Sequence, residues 1–304
     1  KFRGDVKILE PGLRQLEDLC KIPVAGVVPY MNVDIEDEDS LSERFENKTV
    51  NVIDIAVVRF PRISNFTDFD VFRQFKDVSV RYVSKVSELK KPDLIIIPGT
   101  KNTISDMKWL RESGLETAIK KLVSENIPAF GICGGYQIMG KKIEDPDCTE
   151  NGGSIAGMGL LDIETVFRNE KKRTRVSGKF KNISGIFSVL SGKQFSGYEI
   201  HMGESTVGEG QAHAFAKIYN TVDGTEYMDG CVCGNVAGTY LHGIFDEKEF
   251  CDGFINMLGK RCGIATHGGS DMSFEEYKQR EYDKLADAIR ENMDMKYIYE
   301  IMGL

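Results

Sequence analysis

The stretch FGICGGYQIMG, residues 130–140, constrains this chain more than any other part of it. An apolar run of strand length meets a helical pattern there with almost no linker. Three glycines, Gly131, Gly134 and Gly135, surround one cysteine, Cys133. Glycine weakens both strand and helix interiors, so this concentration marks a turn too sharp, or a contact too close, for larger residues. A strand that becomes a helix this abruptly belongs to a βα unit. Cys133 then sits at the carboxyl end of a strand, where open α/β sheets hold their ligands.

The neighbouring sequence repeats the pattern. VNVIDIAVV (50–58), VSVRYV (78–83), DLIIIPG (93–99) and PAFGIC (128–133) read as strands. FTDFDVFRQF (66–75) and the tract from MKWLRESG into LETAIKKLVSEN (107–126) read as helices, with Thr103 as a cap and Asp106 three residues on. Strands that are apolar along their whole length imply a parallel sheet covered on both faces, an α/β doubly wound fold. From about 155 to 241 short strands and turns predict an antiparallel extension, so the whole sheet is expected to be mixed, mostly parallel. EKEFCDGFINMLGK (247–260) and FEEYKQREYDKLADAIRENM (274–293) read as closing helices. Residues 1–45 contain a helical PGLRQLEDLC, a short buried strand in PVAGVVPY and an acidic, solvated DIEDEDS (34–40). They read as the tail of a preceding domain, which makes the chain a fragment. The expected division is 1–45, 46–260 and 261–304.

A formal net charge of −8 argues against nucleic acid or an anionic membrane as partner, and no apolar run reaches the roughly 20 residues of a membrane span. Seven cysteines, without a C-x-x-C pair, suit a reducing cytoplasm better than a disulfide framework. Cys231 and Cys233 share one face of a strand, but the pattern supplies no further ligands and no metal site is assigned.

A thiol at the start of a helix is favoured as thiolate by unpaired N–H groups, and the N–H of Gly134 is placed to hold an oxyanion. A buried cysteine in a glycine-rich turn is the competing reading. A cysteine nucleophile needs a base, and there are four histidines, at 201, 213, 242 and 267. His242 follows the strand-like GNVAGTYL and is the preferred base. His201 is the rival, and His213 and His267 lie in polar contexts. A second oxyanion donor is expected in IIIPGT, at Gly99, although a plain βα turn explains that glycine equally well.

VVRFPRISNFTDFDVF, PDLIIIPGTKNTISDMKWLR, FGICGGYQIMG, GYEIHMGES and GNVAGTYLHGIFD, in this order, resemble the class I glutamine amidotransferases, specifically their cobyric acid synthase branch. The resemblance implies a flavodoxin-like sheet, preceded at residues 1–45 by the end of a P-loop-like synthetase domain. It implies glutamine as substrate and a cytoplasmic enzyme, with Cys133 as nucleophile and His242 as base. The ammonia would serve ATP-dependent amidation of adenosylcobyrinic acid a,c-diamide, reached through the synthetase domain. ATP and Mg2+ would belong to that domain, since no G-x-x-x-x-G-K-[ST] loop occurs here, and this chain would carry no cofactor. Many class I enzymes place a glutamate two residues after the histidine. Ile244 stands there, and Asp246 and Glu247 lie at the wrong offset, so no third catalytic residue is assigned. The tract Ser64–Asp70 is expected to face the synthetase domain. Open alternatives are an amidotransferase for another acceptor (cobyrinic acid or a cell-wall precursor), a redox-sensing or hydrolase relative sharing the elbow, and a non-catalytic flavodoxin-like binding module.

Overall fold

The computed structural model describes residues 2–31, 33, 51–210, 213–266 and 272–304; DIEDEDS and His267 lie outside them. The chain divides into two compact units, Lys1–Glu36 with Phe274–Leu304, and Asp37–Ser273.

In the smaller unit, helix α1 (Glu10–Cys20) carries Pro11 in its first turn, where the missing N–H costs nothing. The expected strand in PVAGVVPY is not formed. Among the described residues its backbone makes isolated bridges, Phe2 to Pro29 and Gly26 to Met293. The Asp294 N–H donates to Ala25 O at 2.6 Å, which ties the terminal helices to this segment.

The larger unit is built on a sheet whose strands are β1 (Ile53–Val58), β2 (Val78–Val83), β3 (Leu94–Ile97), β4 (Ala129–Ile132), β5 (Lys142–Asp145), β6 (Gly153–Ala156), β7 (Ile163–Phe180), β8 (Gln194–Val207), β9 (His213–Asn220), β10 (Glu226–Cys233), β11 (Val236–Thr239) and β12 (Leu241–His242). One half runs β2-β1-β3-β4-β11 and is parallel throughout. Its β2-β1-β3-β4 order is that of flavodoxin-like sheets, whose ligands sit beyond the carboxyl ends of the strands. The other half, β10-β9-β7-β8-β12, is antiparallel, as the short-strand pattern predicts. Every residue of β1, β3, β4 and β11 is buried, which is why these strands carry almost no polar residues.

Helices α2 (Val86–Leu89), α3 (Thr103–Glu112), α4 (Leu115–Ser124), α5 (Gly134–Ile138) and α6 (Lys248–Cys262) cover the sheet. The smaller unit holds α7 (Phe274–Asn292) and α8 (Met295–Met302). The expected boundary at 261 falls inside α6, which stays with the sheet. Residues 66–74 form a 3-10 helix rather than an α-helix. The cap of α3 is Asn102, whose side chain accepts from Ser105 N–H, and Thr103 is the first helical residue. Thr103 fails as a cap because its hydroxyl is spent elsewhere, on Gln137 at 3.0 Å.

Phe130 is the centre of the core: its ring lies 5.6–6.2 Å from those of Phe187, Phe215, Phe245 and Phe254. Phe245 also meets Phe72 edge-on at 4.8 Å. This aromatic contact fixes the 66–74 segment against the chain that follows His242. On β1 and β2 the buried Arg81 pairs in a two-pronged fashion with Asp54, at 2.7 Å for each bond, and donates to Glu88 O at 2.6 Å.

Candidate active site

The glycines around Cys133 serve close packing. A β-carbon on Gly135 would lie 1.8 Å from Ile97 O, and one on Gly134 would lie 2.7 Å from the Thr100 methyl. Helix α5 therefore starts directly against the end of β3. The conformational strain falls on the cysteine itself, at φ 50° and ψ −111°, a region a side chain with a β-carbon rarely occupies. Its N–H donates to Thr239 O at 2.8 Å, and its thiol donates to Ile200 O at 3.6 Å. A strained cysteine on a strand-to-helix turn has the geometry of a nucleophile elbow. Helix α5 has only five residues, so the local N–H groups near Gly134 matter more than any long helix dipole.

His242 arrives from the neighbouring chain. Beyond Thr239, which ends β11 beside β4, the backbone crosses to β12, where His242 pairs with Tyr198 of β8. Its ring is fully buried and stacks on Tyr198, with centroids 5.2 Å apart. Nδ1 lies 2.8 Å from Asp68 Oδ2, and Asp68 Oδ1 accepts the Gly243 N–H at 3.1 Å. The carboxylate thus requires the proton on Nδ1 and leaves Nε2 for the thiol side. Burial alone would depress the ring's pKa. The charge and hydrogen bond of Asp68 outweigh it, Cys133 adds to them, and the pKa rises to about 10. Nε2 is buried and meets no aligned hydrogen-bond partner. Cys133 is the group that favours the imidazolium from this side, and such contacts are often loosely aligned in substrate-free sites.

Asp68 is the residue sequence reasoning missed. The sequence offers carboxylates just after His242, whereas Asp68 lies 174 positions earlier in the chain. Glu247 instead accepts from Ser196 N–H at 3.1 Å and from its hydroxyl. The signal in the sequence is the Ser64–Asp70 tract, for which the expectation is a face toward the synthetase domain. Its Phe66, Asp68, Phe69 and Asp70 are buried, and Asp68 faces His242. The same tract supplies Asn65, which donates to the Tyr198 hydroxyl at 2.8 Å.

His201 is not placed on the thiol. Its Nδ1 lies 2.8 Å from Gly203 O, its Nε2 3.7 Å from Glu199, and its ring stacks on Tyr240 at 3.8 Å. It belongs to a polar cluster around the buried Glu199 that includes the half-exposed Lys172 and Tyr227, each 2.7 Å from that carboxylate. His213 is exposed on β9.

The Gly99 expectation needs correction. Gly99 does lie against the imidazole, since a β-carbon there would be 3.4 Å from His242 Cε1. However, the Pro98 carbonyl is directed at Gly135, where a β-carbon would come within 2.7 Å of it. The N–H of Gly99, on the opposite side of the same trans peptide, therefore faces away from the α5 turn. Among the described residues no cluster of three or more His, Cys, Asp or Glu side chains is arranged to hold a metal ion. No helix there is long and apolar enough to cross a membrane.

Residues 54–250 match the family described as a CobB/CobQ-like glutamine amidotransferase domain. The chain is 54% identical over 316 residues to a cobyric acid synthase of Lachnoclostridium phytofermentans, covering 99% of this chain and 61% of that protein. It is 52% identical over 304 residues to that of Ruminiclostridium cellulolyticum, covering 99% and 59%. The chain thus spans about three fifths of the length of the curated relatives it matches. A solved structure described as a glutamine amidotransferase is also similar, at 18% identity and a TM-score of 0.49, over 69% of this chain and 99% of that one.

Proposed function

Because the chain belongs to the CobB/CobQ-like glutamine amidotransferase family, we propose that Cys133, His242 and Asp68 hydrolyse glutamine to supply ammonia. The observation that supports this most is the buried Asp68–His242 pair aimed at a strained cysteine. With the shared proton on the ring, the sulfur is a thiolate, which attacks the carboxamide carbon. The carbonyl electrons move onto oxygen, held by the N–H of Gly134 and a peptide of the 99–100 loop. The imidazolium gives its proton to nitrogen as the C–N bond breaks, and ammonia leaves. His242, now neutral, takes a proton from water as that water attacks the thioester; glutamate leaves and the thiolate returns. Asp68 holds the ring in the required tautomer throughout.

The acceptor proposed for the ammonia is adenosylcobyrinic acid a,c-diamide, amidated with ATP and Mg2+ by a synthetase portion such as the cobyric acid synthases named above contain. No residue of this chain is assigned to those groups. The test is steady-state ammonia release from glutamine by this chain and by its Cys133→Ser variant, with asparagine and a simple ester as controls. Glutamine-selective release that Cys133→Ser abolishes supports the proposal. Activity on esters alone, or release that survives the substitution, overturns it.

A further inference from the structure

The loop that follows β3 is fixed from two sides. Toward the 62–64 segment, Ser64 N–H donates to Gly99 O and Lys101 N–H donates to Arg62 O, each at 2.9 Å. Toward α3, the Thr100 hydroxyl donates to Asp106 Oδ2 at 2.5 Å, and that oxygen also accepts the Arg62 N–H at 3.3 Å. Asn102 N–H donates to the Thr100 hydroxyl at 3.1 Å. Asp106 is completely buried, and its other oxygen has no hydrogen bond, only the Arg62 guanidinium at 3.5 Å. Burial raises its carboxyl pKa, against the opposing bonds from Thr100 and Arg62. A buried carboxylate this weakly neutralised is costly to keep, and a hydrophobic residue would serve packing better.

The direction of the Gly99–Thr100 peptide gives the carboxylate a purpose. The peptide is trans, so its N–H points opposite to a carbonyl that is turned onto Ser64. That N–H belongs to Thr100, and its nitrogen lies 3.1 Å from where a β-carbon on Gly134 would stand, on the side of the nucleophile turn. The N–H of Thr100 is thus the peptide of the 99–100 loop that serves the oxyanion in that chemistry, and we propose that Asp106 is a positioning residue that fixes it through the Thr100 hydroxyl. This rests on the thioester chemistry proposed above. Removing the hydroxyl frees the loop to rotate the peptide, and a donor turned off its target loses part of the 10²–10³ in rate that one such donor contributes.

The experiment compares Thr100→Val, Thr100→Ser, Asp106→Ala and the Thr100→Val/Asp106→Ala double variant with the parent chain. Glutaminase kcat and KM are measured, together with the rate at which iodoacetamide alkylates Cys133, a displacement that forms no oxyanion. Thr100→Val should lower kcat by roughly ten- to a hundredfold with KM nearly unchanged, and Thr100→Ser should restore it. Asp106→Ala should do the same, and the two losses should not add, because both act through one hydroxyl. The alkylation rate should stay at the parent value throughout. Equal kcat in the valine and parent chains, additive losses, or alkylation falling in step with kcat would each overturn the assignment. A parent chain that released no ammonia from glutamine would instead overturn the underlying reading, and the assignment with it.

Discussion

Replacing Asp68 by Asn removes one charge and one acceptor from the centre of the site while keeping the side chain's shape. The wild-type carboxylate serves two donors, His242 Nδ1–H and Gly243 N–H, with one oxygen each. An amide has a single oxygen, so one buried donor is left facing an NH2 group, at a cost of roughly 1–3 kcal/mol in stability. The larger effect is electrostatic. Burial is the strongest influence on His242 and it favours the neutral ring; Asp68 is the chief opponent. Without it the pKa should fall from about 10 toward the ordinary 6.5. At roughly 1.4 kcal/mol per pH unit, that is on the order of 5 kcal/mol of imidazolium stabilisation. In the proposed chemistry the imidazolium is the acid that protonates the departing ammonia, so kcat should drop by about 10²–10⁴, the range of general acid–base catalysis. The assay is the pH dependence of ammonia release. The wild-type alkaline limb should lie near the pKa of about 10, and the variant's should move toward neutrality. Stability carries the same sign. A proton bound more tightly in the folded state stabilises fully below the unfolded pKa of 6.5, and that gain is lost as pH rises through about 10. An Asp68→Asn enzyme with unchanged kcat and an unmoved alkaline limb would refute the assignment of Asp68.

His242→Asn should cost orders of magnitude in glutaminase rate, whereas His201→Asn, which alters a ring stacked on Tyr240, should cost far less; the kcat ranking of the two checks this. A glutamine-shaped electrophile should modify Cys133 before the exposed Cys20 and Cys148, while burial pushes the Cys231 thiol up to about 12 and slows it further; peptide mass mapping over time reads the order. Gly135→Ala would place a β-carbon 1.8 Å from the Ile97 carbonyl oxygen, so thermal unfolding should show a loss of roughly 3 kcal/mol or more, the upper end for overpacking. Arg81→Met would leave Asp54 buried without its partner, and denaturant unfolding should show a loss of about 3–5 kcal/mol.

The sequence by itself determined what is local and periodic. VNVIDIAVV and DLIIIPG had to be buried parallel strands because they offer almost no polar face. The glycines around Cys133 had to mark a sharp βα turn because no other residue tolerates that proximity. His242 was legible because it ends a strand and is one of only four histidines. The tertiary structure decided what depends on distant segments meeting. Asp68 reaches His242 only because the Phe72–Phe245 contact lays a 3-10 helix against the chain after β12. FTDFDVFRQF carries a helical period that reports burial on one side, and that period does not distinguish an α-helix from a 3-10 helix pinned at several points. The choice between the N–H groups of Gly99 and Thr100 turned on which way two peptides face, and that direction is set by Ser64 and Asp106 from other elements. Periodicity encodes which side of an element is buried; the partner of a buried charge and the tilt of a peptide are set by packing, and packing is not written in any single stretch of residues.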